Sequence, residues 1–365
     1  MNVSMKSISF LFPVNGKNLS GGLKVVCEYA NRFAVAGYDV HIVYAGSIFF
    51  SKKTIRYKLS GVVRYIQTLF RGYSCKGWFS LDHRVKEHWA FSLNQRHVPE
   101  TDVYIATAPY TAMYLNEYDI DASRKFYFIQ GYENWGGVTD QKLRETYHYP
   151  ATKIVISNWL QRILAEEGQK STLIPNGFDF EKFKVLTPIE QKDKYSVTMV
   201  YHSMELKDCN LGFNALDKVH QKIPQLRVKL FGLPPKPDNL PDWYDYTQRP
   251  DAETHCRLYD ESAIFIATSR SEGWGLTLGE SMLCGCAVCC TDIDGYKEMA
   301  VDKENALLSP VGDVERMAAN ITYLIENDEL RVRLAQAANE SIRKFNWNNS
   351  FKIYKKLIDT NGREK

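Results

Sequence analysis

Two glutamates eight residues apart, Glu272 and Glu280, frame the run Ser271-Glu272-Gly273-Trp274-Gly275-Leu276-Thr277-Leu278-Gly279-Glu280-Ser281-Met282, which follows closely on the apolar stretch Ile264 to Ala267. A helix starting near Gly275 leaves Glu272 in the loop before it and carries Glu280 more than one turn inside. The glycines leave main-chain N–H groups open, and the start of a helix adds partial positive charge, so an anionic diphosphate is well placed there. A carboxylate on either side can accept hydrogen bonds from hydroxyl groups of a sugar and a ribose. Taken alone, such a pair is more often a cap-region acid and a surface glutamate; its context decides.

That context is an alternation of apolar runs and helical segments. Ser7 to Phe12 reads as a strand, Gly21-Gly22 as a glycine-rich loop, Leu23 to Ala36 as an amphipathic helix and Val40 to Tyr44 as a second strand. Such a βαβ unit demands a parallel sheet with helices on its faces. Val103 to Thr107, Lys125 to Ile129 and Lys153 to Ser157 continue this sheet. The series restarts at Ser196 to Tyr201 and runs through Arg227 to Phe231, Ala263 to Ala267 and Ala287 to Cys290, a second doubly wound α/β sheet. Between them, the lysine-rich stretch Lys182 to Lys194 with Pro188 reads as the linker. The chain of 365 residues therefore divides into domains 1–185 and 186–345, a length suited to two cores of about 150 residues each. Helices are expected over Val314 to Glu326, Leu330 to Phe345 and Trp347 to Ile358, the last (346–365) returning to the first domain.

With these motifs in place, the chain resembles family 4 of the retaining glycosyltransferases, whose architecture, GT-B, has two Rossmann-like doubly wound domains with a cleft between them. The resemblance is densest from Ile154 to Pro310. The family's Glu, seven residues, Glu signature is matched by Glu272, Gly273, Trp274, Gly275, Leu276 and Glu280. Its Pro-Asn-Gly-x-Asp-x3-Phe segment is matched by Pro175, Asn176, Gly177, Asp179 and Phe183, and its Gly-Gly-x-x-Glu is echoed by Asp294-Gly295-Tyr296-Lys297-Glu298.

The resemblance implies roles. Glu272 would bind the transferred sugar, Glu280 the donor ribose, and the amides of Trp274 to Leu276 the diphosphate. Lys207 would neutralise the leaving diphosphate, stabilising the transition state more than the ground state. Where relatives carry an arginine shortly before that lysine, this chain has His202 and Ser203, so Arg270 or Arg249 is expected to supply the missing cation. Gly22 stands in the family's Gly-Gly loop, where main-chain amides approach phosphate or acceptor. Where many relatives have a histidine, Gln130-Gly131-Tyr132-Glu133-Asn134-Trp135 stands, so Glu133 is a candidate to orient or deprotonate the acceptor hydroxyl. Alternatively Tyr132 and Trp135 pack while Glu133 caps the next segment. No metal and no cofactor are expected, because Lys207 and a helix terminus manage the diphosphate charge.

The expected function is metal-independent, retaining transfer from a nucleotide-sugar donor to a saccharide or lipid-linked saccharide acceptor, as in surface polysaccharide assembly. The rivals are a catalytically silent glycan- or partner-binding subunit and a nucleotide-sugar epimerase or hydrolase. A dinucleotide oxidoreductase is disfavoured, since neither sheet opens on Gly-x-Gly-x-x-Gly followed by an acid about 20 residues on.

Composition narrows the rest. With 46 Lys and Arg against 43 Asp and Glu the net charge is only +3, so no nucleic-acid partner is indicated. Eight cysteines follow no secretory leader and are expected as free thiols of a cytoplasmic protein. Cys284, Cys286, Cys289 and Cys290 read as packing groups around a helix end and a strand, not a zinc site. No stretch reaches the about 18 apolar residues of a membrane span. Val40 to Leu81, however, contains no acid. Its basic residues Lys52, Lys53, Arg56, Lys58, Arg64, Arg71 and Lys76 alternate with apolar ones, which suits either a peripheral helix on an anionic inner membrane surface (residues 52–76) or one docked on the first domain.

Overall fold

The computed structural model describes residues 6–361 except 15–16, 18–19, 47–54, 72–73 and 135–136. The chain forms two compact units, one of residues 1–176 with 348–365 and one of residues 177–347. The first contains β1 (Ser7–Phe12), α1 (Gly21–Val35), β2 (Asp39–Ala45), α2 (Ile55–Arg71), β3 (Lys86–Ala90), β4 (Val103–Ala106), α3 (Pro109–Asn116), β5 (Lys125–Ile129), α4 (Asp140–Tyr147), β6 (Thr152–Val155), α5 (Asn158–Glu166) and β7 (Thr172–Leu173). The second contains β8 (Ser196–Tyr201), α6 (Cys209–Lys222), β9 (Arg227–Gly232), β10 (Tyr244–Gln248), α7 (Ala252–Asp260), β11 (Ile264–Ala267), α8 (Leu276–Leu283), β12 (Ala287–Thr291), α9 (Asp294–Lys297), β13 (Leu307–Ser309), α10 (Val314–Glu326) and α11 (Asp328–Ser341). A last helix, α12 (Trp347–Asn361), runs in the first unit for nearly its whole length.

Both sheets are parallel throughout. The first has the order β3-β2-β1-β4-β5-β6-β7 and the second β10-β9-β8-β11-β12-β13. In each, the strand order reverses beside the first strand, between β1 and β4 and between β8 and β11, and a parallel α/β sheet offers its crevice at the carboxyl ends of the strands flanking that reversal. The register Ile264↔Val197, Phe265↔Thr198, Ile266↔Met199 brings the loops after β8 and β11 side by side.

The central strands are apolar runs because helices cover both faces. β4, β5, β11 and β12 are buried at every residue. α1 buries Leu23, Val26, Tyr29, Ala30 and Phe33 along one stripe. α12 completes this core, with Tyr354 edge-on to Tyr29 (ring centroids 4.9 Å apart) and Phe351 against Phe33 (5.0 Å). Each such ring contributes roughly 1.5–3 kcal/mol of burial.

Several expectations need correction. Gly21 and Gly22 lie in the first turn of α1, not in a loop, because Ser20 caps the helix early, its Oγ accepting from Leu23 N–H at 3.2 Å. Residues 182–194 are not a free linker. Phe183 and Ile189 are buried, the Asp260 carboxylate holds the Leu186 and Thr187 amides, and the buried Lys192 ammonium donates to the carbonyls of Cys284 (2.6 Å), Tyr259 and Ser262. The division between the units therefore falls at Asn176–Gly177, earlier than residue 185. β3, β7 and β13 went unread: β3 is polar at the sheet edge, and the other two have two and three residues.

Among the described residues no cluster of three His, Cys, Asp or Glu side chains is arranged to hold a metal ion. Cys284, Cys286, Cys289 and Cys290 are fully buried, and Cys286 donates to the Tyr259 and Ser262 carbonyls at 3.2 and 3.3 Å. Burial pushes the Cys286 thiol up to about 11.

Candidate functional site

The strand reversal of the second sheet gathers most of the expected residues. β8 ends at Tyr201, and the turn that follows carries His202, Ser203 and Lys207 before α6 starts. β11 ends at Ala267, and its loop carries Ser269, Arg270 and Glu272 to the start of α8. Parallel pairing of the two strands places one loop against the other. The Arg270 N–H donates to the Leu206 carbonyl at 2.8 Å, and Thr268 Oγ1 donates to the Lys207 carbonyl at 2.9 Å.

On this frame the Lys207 ammonium pairs with Glu272 Oε1, and Ser269 Oγ donates to the same oxygen at 2.8 Å. Both side chains keep some solvent contact, 33% for Lys207 and 18% for Glu272, so a ligand can reach them. Glu272 is fixed from below by Gly295 in α9, where an added Cβ would lie 2.2 Å from the Glu272 carbonyl oxygen. The Gly-x-x-Glu echo thus supports the loop sterically.

α8 begins at Leu276 with Gly275 as its cap, at φ +95°. This left-handed conformation favours glycine, and a Cβ there would also meet the Tyr296 ring at 2.8 Å. Among the described residues the main-chain N–H groups of Trp274, Gly275, Leu276 and Thr277 have no hydrogen-bond acceptor, and Gly275 offers no capping side chain. The Trp274 indole turns inward, 3% exposed, edge-on to Phe345 at 5.0 Å. Its contribution to any ligand is therefore its amide; Gly273 beside it is a half-buried loop position.

Glu280 lies inside α8 and is 3% exposed, with His255 Nε2 3.8 Å from its Oε2. His202 Nδ1 accepts from the Met204 N–H at 3.0 Å, which leaves the ring proton on Nε2. Burial, then the Lys207 charge, holds the imidazole below its ordinary range, so it presents a neutral N–H donor. Ser203 is exposed in the same turn.

The two arginines part company. Arg270 is next to the pair, but its Nε donates to Asp208 Oδ2 at 2.9 Å, while Asp208, itself at φ +43°, caps α6 through the Leu211 amide. Arg249 sits at the end of the edge strand β10, at φ +50°, with β9 between it and β8. Its contacts are to the Gly232 and Leu233 carbonyls, outside the cluster.

In the first unit Gly22 faces Gln130, and a Cβ on it would come no nearer than 3.4 Å, so sterics do not demand glycine. Glu133 follows β5 with no hydrogen-bond partner among the described residues, and burial pushes its carboxyl up to about 8. Trp135 lies outside the described residues, as do Lys52 and Lys53; the side chains of Arg56, Lys58 and Arg64 are likewise not described.

Sequence reasoning missed Thr268, Ser269 and Asp208. Polar residues directly after the buried strand β11 were the available signal for the first two.

Residues 187–341 match the family Glycosyl transferases group 1. A phosphatidyl-myo-inositol mannosyltransferase of Mycolicibacterium smegmatis is 23% identical over 206 residues, 53% of this chain and 53% of that one. An uncharacterised glycosyltransferase of Methanocaldococcus jannaschii is 33% identical over 160 residues, 42% of this chain and 43% of that one. The matched region thus spans about half the length of these curated relatives. The solved structure of Anabaena HepE in complex with UDP and glucose superposes with a TM-score of 0.72 over 97% of this chain and 100% of that chain at 15% identity, a likeness of fold. The chain is thus built on the two-domain GT-B fold, and its residues 187–341 are similar to glycosyl transferases group 1.

Proposed function

We propose that this protein is a retaining glycosyltransferase that moves a hexosyl group from a nucleotide-diphosphate sugar to a saccharide or lipid-linked saccharide acceptor in surface polysaccharide synthesis. The observation that carries the reading is the Lys207–Glu272 pair at the strand reversal of the second sheet, beside the open amides of Trp274 to Thr277. A diphosphate laid on those amides would draw Lys207 from Glu272, freeing the carboxylate for a sugar hydroxyl. As the bond to the sugar breaks, charge grows on the phosphate, and the ammonium released from Glu272 and the neutral His202 Nε2–H in the same turn would donate to it. This arrangement asks for no divalent cation. With retention, the leaving diphosphate assists the incoming hydroxyl on the same face. Glu133 serves the acceptor, Glu280 the donor ribose. The exposed apolar side of the basic helix α2 supports work at the inner membrane surface from the cytoplasm.

The test is a thermal-shift panel of UDP-, GDP- and ADP-sugars on the intact chain, followed by turnover with an acceptor panel in the presence of EDTA. A raised melting point for one nucleotide series, lost in Lys207→Ala, is expected. A panel without any shift overturns the donor site, and activity abolished by EDTA overturns metal independence.

One observation favours a second reading. Arg270, which could replace the family's arginine, is tied to Asp208. A catalytically silent binding subunit would bind donor yet release no nucleoside diphosphate; an epimerase or hydrolase would turn donor over without acceptor.

A further inference from the structure

Cys27 and Cys75 are 48 positions apart in the chain, yet their sulfurs lie 3.2 Å from one another, and both residues are fully buried. Cys27 stands in α1, and Cys75 opens a short 3-10 turn, Cys75–Gly77, just after α2. The groups around them form a line. The Tyr44 hydroxyl donates to Glu87 Oε1 at 2.7 Å. Having only one proton to give, its oxygen can then only accept from Cys75, whose Sγ is 3.0 Å away and whose N–H is at 3.2 Å. The Cys27 thiol in turn donates to Cys75. Glu87 is the sink: it also accepts from Ser74 Oγ, and Lys76, half exposed, pairs with its other oxygen at 2.9 Å.

Every proton in this line points one way, from Cys27 through Cys75 and Tyr44 to Glu87. A thiol so arranged can release its proton along a preformed path, and the sulfur next to it is in place to trap whatever Cys75 becomes. The Cys27 S–H holds the Cys75 thiol below its ordinary range, while Cys27 itself is pushed up, which separates the two roles in the same sense.

We propose that Cys27 and Cys75 form a peroxide-responsive dithiol in which Cys75 is the attacking sulfur and Cys27 the resolving one. The Cys75 thiolate bonds to one peroxide oxygen, the O–O bond breaks, and the departing hydroxide takes up the proton that Cys75 gave to Tyr44 and Glu87. Cys27 then attacks the sulfenic sulfur of Cys75, the S–S bond forms, the S–O bond breaks, and that hydroxide leaves as water with the Cys27 proton. Two thiols lose two electrons, and one peroxide becomes two waters. The new bond ties α1 to the turn that ends the basic helix. Burial makes the rate depend on local opening, so the pair responds slowly to peroxide and ignores bulky alkylating agents.

The full chain is treated with hydrogen peroxide, then denatured, alkylated and mapped by mass spectrometry. Alkylatable cysteines should fall from eight to six, with a linked peptide joining Cys27 to Cys75 that dithiothreitol releases. Eight modified cysteines, or linkage through any other pair, overturns the proposal. In Cys27→Ser a sulfenic-acid probe should label Cys75, and labelling elsewhere instead removes it as the attacking sulfur. Tyr44→Phe keeps the ring beside Phe12 and Trp89. It should slow linkage several-fold at an unchanged melting point, and an unchanged rate overturns the proton path.

Discussion

The Lys207 ammonium and the Glu272 carboxylate neutralise one another across two loops 65 positions apart in sequence, with Ser269 Oγ on the same carboxylate oxygen. Without a ligand each side chain is the other's counterion, so an incoming anion competes for the lysine and an incoming hydroxyl for the glutamate.

Lys207→Met should therefore lower kcat by about 10²–10³-fold, the usual cost of removing one positioned donor from developing negative charge. KM for the donor should change far less. Steady-state release of nucleoside diphosphate checks this, and a fall confined to KM would make Lys207 a binding group only.

Glu133 should make stability depend on pH in a definite sense. Its carboxyl is held at about 8 when folded, against an ordinary value of 4.5. Between these values the folded chain holds a proton that the unfolded chain has lost, so this contribution to stability declines as pH rises from 4.5 through 8. Glu133→Gln should flatten that slope in denaturant titrations across the window. If Glu133 is also the base, the variant should lose the rising alkaline limb of the rate profile.

His202 runs the opposite way. Its folded value lies below 6.5, so as pH drops past 6.5 the unfolded chain binds a proton that the folded chain refuses, and stability is lost on acidification through the folded value. Nitrogen-15 NMR of labelled histidine should show the Nε2–H tautomer at neutral pH and a midpoint below 6.5 for this ring.

Gly279→Ala places a methyl group 2.1 Å from the Phe178 ring inside the second unit. Overpacking of this kind costs about 1–3 kcal/mol. Gly275→Ala meets the Tyr296 ring at 2.8 Å and a φ of +95°, and should cost a similar amount together with donor affinity, since it reshapes the amides of α8. Chemical denaturation separates the stability loss from the binding loss.

Helix α2 exposes Val63, Ile66 and Phe70, the last at 88%. The double variant Ile66→Asp, Phe70→Asp should keep its melting point and lose sedimentation with phosphatidylglycerol vesicles, about 2 kcal/mol being forfeited for each large apolar side chain. Binding of the parent chain should weaken with salt. Equal sedimentation of both proteins would sink the membrane reading.

Both sheets were legible in the sequence because strands buried on two faces read as apolar runs: Phe126 to Ile129 or Ile264 to Ala267 admit little else. The start of α8 near Gly275 was legible too, from glycine chemistry. What escaped was decided by tertiary pairing. Nothing in the run around Arg270 announces that its guanidinium goes to Asp208, since that partner follows a different strand. The Lys207–Glu272 contact likewise depends on β8 lying beside β11. Lys192 reads as a solvated linker residue until three carbonyls are found converging on it. Lys86-Glu87-His88 hides a strand because an edge position tolerates polar side chains on both faces.

The way α12 closes the first core bears on how the chain is made. The two ends of the second unit adjoin, Phe178 N–H donating to the Phe345 carbonyl at 3.0 Å, so that unit is complete before residues 348–361 leave the ribosome. Until then Tyr29, Phe33 and Phe128 lack the rings of Phe351 and Tyr354. The aromatic cluster of the first unit thus waits for residues that are made only after the whole of the second unit.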